Sequence, residues 1–175
     1  MRVTYLGLGT NLGDREENIL RAVLQIRNHC RLIAYSSIYI TAPIGYSKQA
    51  DFLNMVVEVD SSSYTPEGLL ALLKNIEDKI GRKRTFRWGP RIIDIDILYI
   101  EGIQLDTEEL TIPHSEMFER LFVLVPLLEL TDTLPIGNRQ VDLKDRINEL
   151  AGGEEESLKS AVTLYKSKSD ITING

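Results

Sequence analysis

Several protein classes are excluded by what this sequence lacks. It has one cysteine, Cys30, so no disulfide framework can form, and a reducing, cytoplasmic compartment fits. Its longest apolar run, Leu121 to Leu128, falls far short of the ~20 residues that span a bilayer. Arg2 follows Met1, but polar residues soon interrupt, so no signal peptide is expected. No Gly-x-x-x-x-Gly-Lys-Ser/Thr occurs, which removes a P-loop kinase at motif level. No internal repeat is visible, and no low-complexity tract precedes the tail. A net charge of −6 gives no general attraction for nucleic acid. What remains is a chain of 175 residues, 43% hydrophobic, long enough for one folded domain with a sizeable core.

One stretch organises the rest. The second half of the stretch Arg87 to Ile100 reads as a buried strand of β-branched and aromatic residues. Alternate residues share a face, so Asp94 and Asp96 point the same way, with Cα atoms about 6.6 Å apart. Strict alternation puts Ile92, Leu98 and Ile100 beside them, and Ile93, Ile95, Ile97 and Tyr99 on the other face. Two neighbouring carboxylates on an apolar strand repel each other and resist desolvation. A hard cation such as Mg²⁺ would relieve both costs, and it also takes phosphate oxygens. Two such ions roughly 4 Å apart could bridge the pair during displacement at phosphorus. A half-exposed strand with a solvated acidic face accounts for the spacing equally well.

The preceding residues favour the first reading. Arg82, Lys83, Arg84, Arg87 and Arg91 give this segment +5, while the rest of the chain carries −11. Guanidinium groups hold phosphates in bidentate fashion. Cations beside an acid pair that can bind metal imply a polyphosphate substrate, and Trp88-Gly89-Pro90 sets the turn between them.

The run Arg87-Trp88-Gly89-Pro90-Arg91, then Asp94, Asp96 and Ile97, resembles the signature of the 6-hydroxymethyl-7,8-dihydropterin pyrophosphokinase family of folate biosynthesis. Other blocks agree in order: Gly9-Thr10-Asn11-Leu12-Gly13-Asp14, then Phe52-Leu53-Asn54, then Pro113-His114, then Glu119-Arg120-Leu121-Phe122-Val123-Leu124. The resemblance covers roughly residues 1 to 130 and fades after about 150.

The resemblance implies transfer of pyrophosphate from ATP to the hydroxymethyl oxygen of the pterin, releasing AMP. It assigns Asp94 and Asp96 to two Mg²⁺ ions, and Arg82 and Arg91 to the transferring phosphates. It carries ATP contacts onto Glu77, Arg84, Trp88, Ile97, Thr111, His114 and Arg120. It places the pterin between Phe52 and Phe122, with Asn54 and the backbone around Thr41, Ala42 and Ile44. Stacking suits the flat ring, and the Asn54 amide offers both a donor and an acceptor. Read alone, the two Phe residues are core and His114 is a loop residue. Loops near residues 10, 45 and 85 are expected to close over the substrates.

The chain departs from the family at Ser115-Glu116, where Pro-Arg is frequent, and at Ala50, often Pro. Its basic loop is a residue shorter than in some relatives. The change at Glu116 puts an anion near the phosphates.

Along the chain, Val3 to Leu8 reads as a strand and Gly9 to Gly13 as a turn. Gly7-x-Gly9-x-x-x-Gly13 has one residue too many for a dinucleotide-binding fingerprint. Asp14 with Glu17 starts a helix whose stripe is Ile19, Val23 and Ile26, with Leu20 and Leu24. Leu32 to Thr41 and Phe52 to Val59 read as strands. Thr65-Pro66 opens a second helix over Leu69, Leu72, Leu73, Ile76 and Ile80, capped at Gly81.

This order is β-α-β-β-α-β, a ferredoxin-like α+β sandwich with an antiparallel sheet and both helices on one face. Further expectations are a short strand at Ile103 to Leu105 and a helix capped by Ser115 and stopped by Pro126. A last helix is expected from Asp142 to Leu150, ended by Gly152-Gly153. Residues 1–153 are expected to form the catalytic domain. Residues 154–175 are expected to be a loosely held extension in which Ala161 to Tyr165 could pair as an edge strand.

Two rival functions share this pattern. A nucleotidyltransferase of polymerase-palm type also uses paired Asp residues, but it needs a nucleic-acid groove that the acidic remainder does not favour. An RNA-binding module shares the strand order, but its Arg/Lys-Gly-aromatic motif is missing. Neither a nucleic-acid nor a membrane partner is therefore expected, and a monomer or weak homodimer is.

Overall fold

The structure, a computed structural model, describes residues 1–43, 48–83 and 89–173. Its first part runs β1 (Val3–Thr10), α1 (Arg15–His29), β2 (Arg31–Tyr35), β3 (Ile38–Thr41), β4 (Phe52–Asp60), α2 (Pro66–Ile80) and β5 (Asp94–Ile100). The helix ends form as local chemistry dictates. The Asp14 side chain accepts from Glu17 N–H, Thr65 accepts from Gly68 N–H, and Gly81 closes α2 at φ 110°.

Then follow β6 (Leu105–Asp106), β7 (Thr111–Ile112), a 3₁₀ turn (Met117–Glu119), α3 (Leu121–Leu128), β8 (Thr133–Ile136), β9 (Arg139–Asp142), α4 (Leu143–Leu150), α5 (Glu155–Ala161) and β10 (Thr163–Lys166). A second 3₁₀ turn, Lys168–Asp170, closes the series. The main sheet has the order β10-β3-β4-β1-β5, with β2 also on β4, and every pairing is antiparallel. This is the expected ferredoxin-like arrangement.

The sheet separates two cores. On one face Leu6, Leu8, Leu53, Met55, Val57, Ile95 and Ile97 pack under α1 and α2. On the other, Tyr5, Val56, Leu98 and Tyr99 pack under α3 and α4, through Val123, Leu124, Leu127, Leu143 and Ile147. The second layer covers only part of its face. The uncovered part holds the cavity described below.

Several expectations need correction. Gly9 and Thr10 belong to β1, because Gly9 pairs with both Asn54 and Asp94. The strand expected over Leu32 to Thr41 is two strands. Buried Ser36 and Ser37 break it: Ser36 Oγ accepts Val56 N–H at 3.0 Å, doing the work of a ladder carbonyl.

Alternation along β5 fails at Leu98. Tyr5 pairs with Tyr99 and Leu6 with Ile97, so Leu98 is an extra, bulged residue. Asp94, Asp96 and Leu98 share the open face as expected. Beyond the bulge Tyr99 joins that side, its ring centroid 6.2 Å from that of Tyr5, and Ile100 turns to the α1/α2 core. Ile92, which precedes the strand, also packs towards that core.

The C-terminal half departs more. The short strand falls at Leu105–Asp106. Ser115 caps no helix; Arg120 precedes α3, and Pro126 lies inside it. The helix runs two residues past the proline because fully buried Leu124 and Leu127 hold it to the sheet. The β8-β9 hairpin carries no signal that the sequence pattern exposed, whereas α4 and its Asp142 cap do. After Gly153 the chain forms α5 and then the edge strand β10, and Ile171 is buried in the α1/α2 core.

Candidate active site

A cavity of about 410 Å³ opens over the exposed part of the second sheet face. This is the size of a small-ligand site. Its floor is the side of β1 that carries Gly7 and Gly9. A Cβ on Gly9 would stand 3.5 Å from Asn54 Oδ1 and 3.9 Å from Phe52. The glycines therefore keep open the space between the two ends of the site.

One end is charged. Asp94 and Asp96 reach it from β5, with Arg91 from the preceding turn and Arg120 from the start of α3. Asp94 Oδ1 lies 2.7 Å from Arg82 Nη1, and Arg91 Nη1 pairs with Asp94 Oδ2. Arg82 also pairs with Glu77. Burial, followed by the Asp94 charge, pushes the Asp96 carboxyl well above the usual carboxylate range, and Arg120 and Arg91 offset this only in part. One carboxylate is thus held by two guanidinium groups while its neighbour lacks a direct counter-ion pair among the described residues. Arg120 itself pairs with Glu116 on the rim, and its guanidinium carbon is 5.6 Å from the Phe122 ring centroid.

The other end is apolar with a few polar groups. Phe52 and Asn54 project from β4 on the same face, Thr41 and Ala42 end β3, and Phe122 comes from α3. Asn54 Nδ2 donates to Thr41 Oγ1 at 2.8 Å, which orients the amide and leaves its oxygen towards the Gly9 floor. Phe52 and Phe122 both line the cavity, the placement that a ring between them requires.

The remaining expected residues that the structure describes sit around the cavity rather than in it. Glu77 is buried beneath the charged end, where Oε1 accepts Ile95 N–H at 2.6 Å. That N–H points outward from β5, the edge strand, and Glu77 satisfies it while steering Arg82 to Asp94. Burial pushes the Glu77 carboxyl up, against the pull of Arg82.

Ile97 lies in the opposite core, so only its backbone faces its strand neighbours. Thr111 Oγ1 donates to Asp106, and His114 docks on the bulge by donating its N–H to Leu98 O at 2.8 Å. Burial, then Arg120, pushes the His114 imidazole below its usual range, and Nδ1 accepts Glu116 N–H. Neither side chain lines the cavity. Ile44, Arg84 and Trp88 lie outside the described residues, as do the loop positions near 45 and 85.

Asn11 takes a role that its sequence context does not announce. It is buried, and Arg91 N–H donates to Asn11 Oδ1 at 2.8 Å while Asn11 N–H donates to Arg91 O at 3.1 Å. Its amide also donates to Gln49 Oε1 and Ala50 O. Asn11 thereby ties the end of β1 to Arg91 and to the segment before Phe52. A lone amide between Thr10 and Leu12, inside one of the family-like blocks, is the only signal the sequence holds.

Fold and site together define an enzyme of phosphoryl-group chemistry: a ferredoxin-like sheet with an acid pair and guanidinium clamps at one end of a ring-sized slot. The family model described as 7,8-dihydro-6-hydroxymethylpterin-pyrophosphokinase (HPPK) matches residues 5–132. The chain belongs to this family.

The 2-amino-4-hydroxy-6-hydroxymethyldihydropteridine pyrophosphokinase of Bacillus subtilis (strain 168) is 47% identical over 130 residues, 73% of this chain and 77% of the relative. The enzyme of the same name from Methylorubrum extorquens is 46% identical over 143 residues, 81% of this chain and 90% of the relative. A crystal structure of wild-type Plasmodium falciparum HPPK-DHPS with pteroate matches with a TM-score of 0.74 at 16% identity, covering 93% of this chain and 45% of the solved one. At that identity it shows the shared fold. Among the described residues, no helix is long and apolar enough to cross a membrane.

Proposed function

We infer that this chain transfers the pyrophosphoryl group of ATP to 6-hydroxymethyl-7,8-dihydropterin, giving the pterin diphosphate and AMP in tetrahydrofolate biosynthesis. One observation carries this reading: the Asp94, Asp96, Arg91 and Arg120 cluster and the Phe52, Asn54 and Phe122 slot are two ends of one cavity. Family membership supports the reaction class, and the shared cavity supports this division of labour.

The pterin ring lies between Phe52 and Phe122, with its polar edge on Asn54 and on the chain at Thr41, Ala42 and Ile44. The hydroxymethyl group then faces the charged end. Its oxygen attacks the β-phosphorus of ATP and gives up its proton to solvent, the bond from that phosphorus to the α,β-bridging oxygen breaks, and AMP leaves. Such a reaction needs positioning and charge neutralisation more than covalent help. Arg82 and Arg91 exchange Asp94 for the transferring phosphates, and Arg120 exchanges Glu116. Arg84, Trp88, Thr111 and His114 complete the nucleotide contacts, with Glu77 acting through Arg82 and Ile97 through its backbone.

The donor set fits Mg²⁺. Asp94 and Asp96 offer oxygen ligands on one face, and Asp96 is held in a state that a cation would relieve. No group of three or more His, Cys, Asp or Glu side chains suited to a metal exists among the described residues, so phosphate and water oxygens would supply the remaining ligands of two ions. When bound, the ions neutralise charge that builds on the phosphates.

We place the catalytic unit in residues 1–153, with 154–175 an extension of it. The chain acts in the cytoplasm as a monomer or weak homodimer, without nucleic-acid or membrane partners. The test is AMP release from ATP and Mg²⁺ with and without the pterin. Pterin-dependent AMP is expected; AMP release that ignores the pterin, or none from folded protein, overturns the assignment.

A further inference from the structure

Glu129 follows the last residue of α3, far from the charged end of the cavity, yet it makes four contacts with three residues outside that helix. Its Oε1 accepts Ser37 N–H at 3.0 Å and Tyr39 O–H at 2.8 Å. Its Oε2 accepts Ser37 O–H at 3.2 Å and lies 3.3 Å from Lys168 Nζ. Lys168 N–H in turn donates to Ser37 Oγ at 3.0 Å. The carboxylate therefore joins the end of α3, the start of β3 and the C-terminal segment.

These elements are walls of the pterin slot. Helix α3 carries Phe122 in its first turn and ends next to Glu129; β3 begins beside Ser37 and ends at Thr41. Tyr39 pairs with Asn54, and Thr41 with Phe52. Helix and strand are joined at one end by Glu129 and line the slot at the other, through Phe122 and Thr41. The far side of β3 is covered by β10, which Lys166 anchors to Glu16 on α1. The carboxylate is only 20% exposed, so its bonds to Ser37 and Tyr39 are poorly screened, while the half-exposed Lys168 adds less.

We propose that Glu129, with the C-terminal segment that brings Lys168 to it, is a positioning element that sets the width of the pterin slot. This rests on the pterin occupying the cavity, as proposed above. Glu129 touches no substrate; it acts through Tyr39, Ser37 and α3. Loss of the pin lets α3 and β3 separate, which weakens ring stacking and the Asn54 contacts and disturbs the nucleotide end far less, since of its residues only Arg120 stands at α3.

The test is pterin affinity by fluorescence titration, with Mg²⁺ and a saturating non-hydrolysable ATP analogue present, on the full chain. Affinity for the analogue itself is measured in parallel, well below the thermal midpoint of every variant. Glu129→Ala is expected to weaken pterin binding roughly tenfold, the size of one or two lost charge-assisted hydrogen bonds, and to change analogue binding less than about twofold. Glu129→Gln keeps the acceptor for Ser37 N–H and Tyr39 and should recover most of the loss. Should Glu129→Ala not fold, Tyr39→Phe removes one bond and retains the ring; a roughly threefold selective loss is expected.

Unchanged pterin affinity in Glu129→Ala, or in Tyr39→Phe where Glu129→Ala does not fold, overturns the proposal, and so does an equal loss for both ligands. Asn54→Ala separates the two levels of inference. If it too leaves pterin binding unchanged, the assignment of the slot fails. If it alone weakens binding, only the role of Glu129 fails.

Discussion

The two faces of the main sheet are built from the same strands and do opposite work. On the face under α1 and α2, β1, β4 and β5 present Leu6, Leu8, Leu53, Met55, Ile95 and Ile97, all nearly solvent-free. One residue along each strand, the other face presents Gly7, Gly9, Phe52, Asn54, Asp94 and Asp96. The pleat sorts one sequence into scaffold and chemistry with a period of two. The scaffold face holds β-branched and long aliphatic residues that pack. The chemical face holds residues that a close-packed interior would reject: two acids that repel, two glycines that leave space, and an amide. A dry core on one side makes the cost of the other side bearable.

The largest expected effect breaks this contrast at Asp96. Asp96→Ala should lower kcat about a thousandfold, the scale seen when one charge-stabilising group is lost. The thermal midpoint should hold or rise, because a carboxyl that resists desolvation beside Asp94 is gone. A variant that keeps its rate would show that the acid pair is only a solvated surface.

Its neighbour Ile97, 3% exposed, should respond in the reverse sense. Ile97→Ala removes buried volume from the α1/α2 core, and ~2–5 kcal/mol of stability should be lost in denaturant melts. The kcat per folded molecule should stay within about twofold of the starting protein. If Ile97→Ala damages rate and not stability, the faces are not separate in function.

Gly9 tests the open face with a smaller change. A Cβ added there meets Asn54 and Phe52 only at ordinary contact distance, so Gly9→Ala should fold normally. The methyl group would occupy floor that the pterin needs in its proposed position. The KM for pterin should rise about tenfold while that for ATP holds, a cost near ~1.4 kcal/mol. An equal rise in both would place the ring elsewhere.

The same comparison explains what is legible in the sequence. Asp-x-Asp on a strand, Phe52 with Asn54, and Thr65-Pro66 with Gly81 are local patterns, and all stand where alternation or capping puts them. Local pattern fails where a distant partner decides. Ser36-Ser37 splits a strand because Val56 N–H takes a serine oxygen. The bulge at Leu98 follows from the register against Tyr5 and Leu6. Strand β10 pairs with β3 across more than a hundred residues, and Glu129 finds Ser37 from α3. Motif resemblance puts His114 and Thr111 with the nucleotide, and their side chains flank the cavity without lining it.

Glu116 yields the smallest and sharpest test, since it concerns charge alone. It lines the rim and pairs with Arg120, a guanidinium that the nucleotide would claim under the proposed function. The Glu116 side chain is 53% exposed, so the pair is well solvated and worth at most ~1 kcal/mol. Glu116→Gln keeps the shape and removes the competing charge. The KM for ATP should therefore fall about threefold with kcat unchanged, and the gain should shrink as salt screens the original pair. An unchanged KM at low salt would mean that Arg120 is already free to meet phosphate, or does not meet it at all; a KM for Arg120→Ala equal to that of the starting protein would select the second.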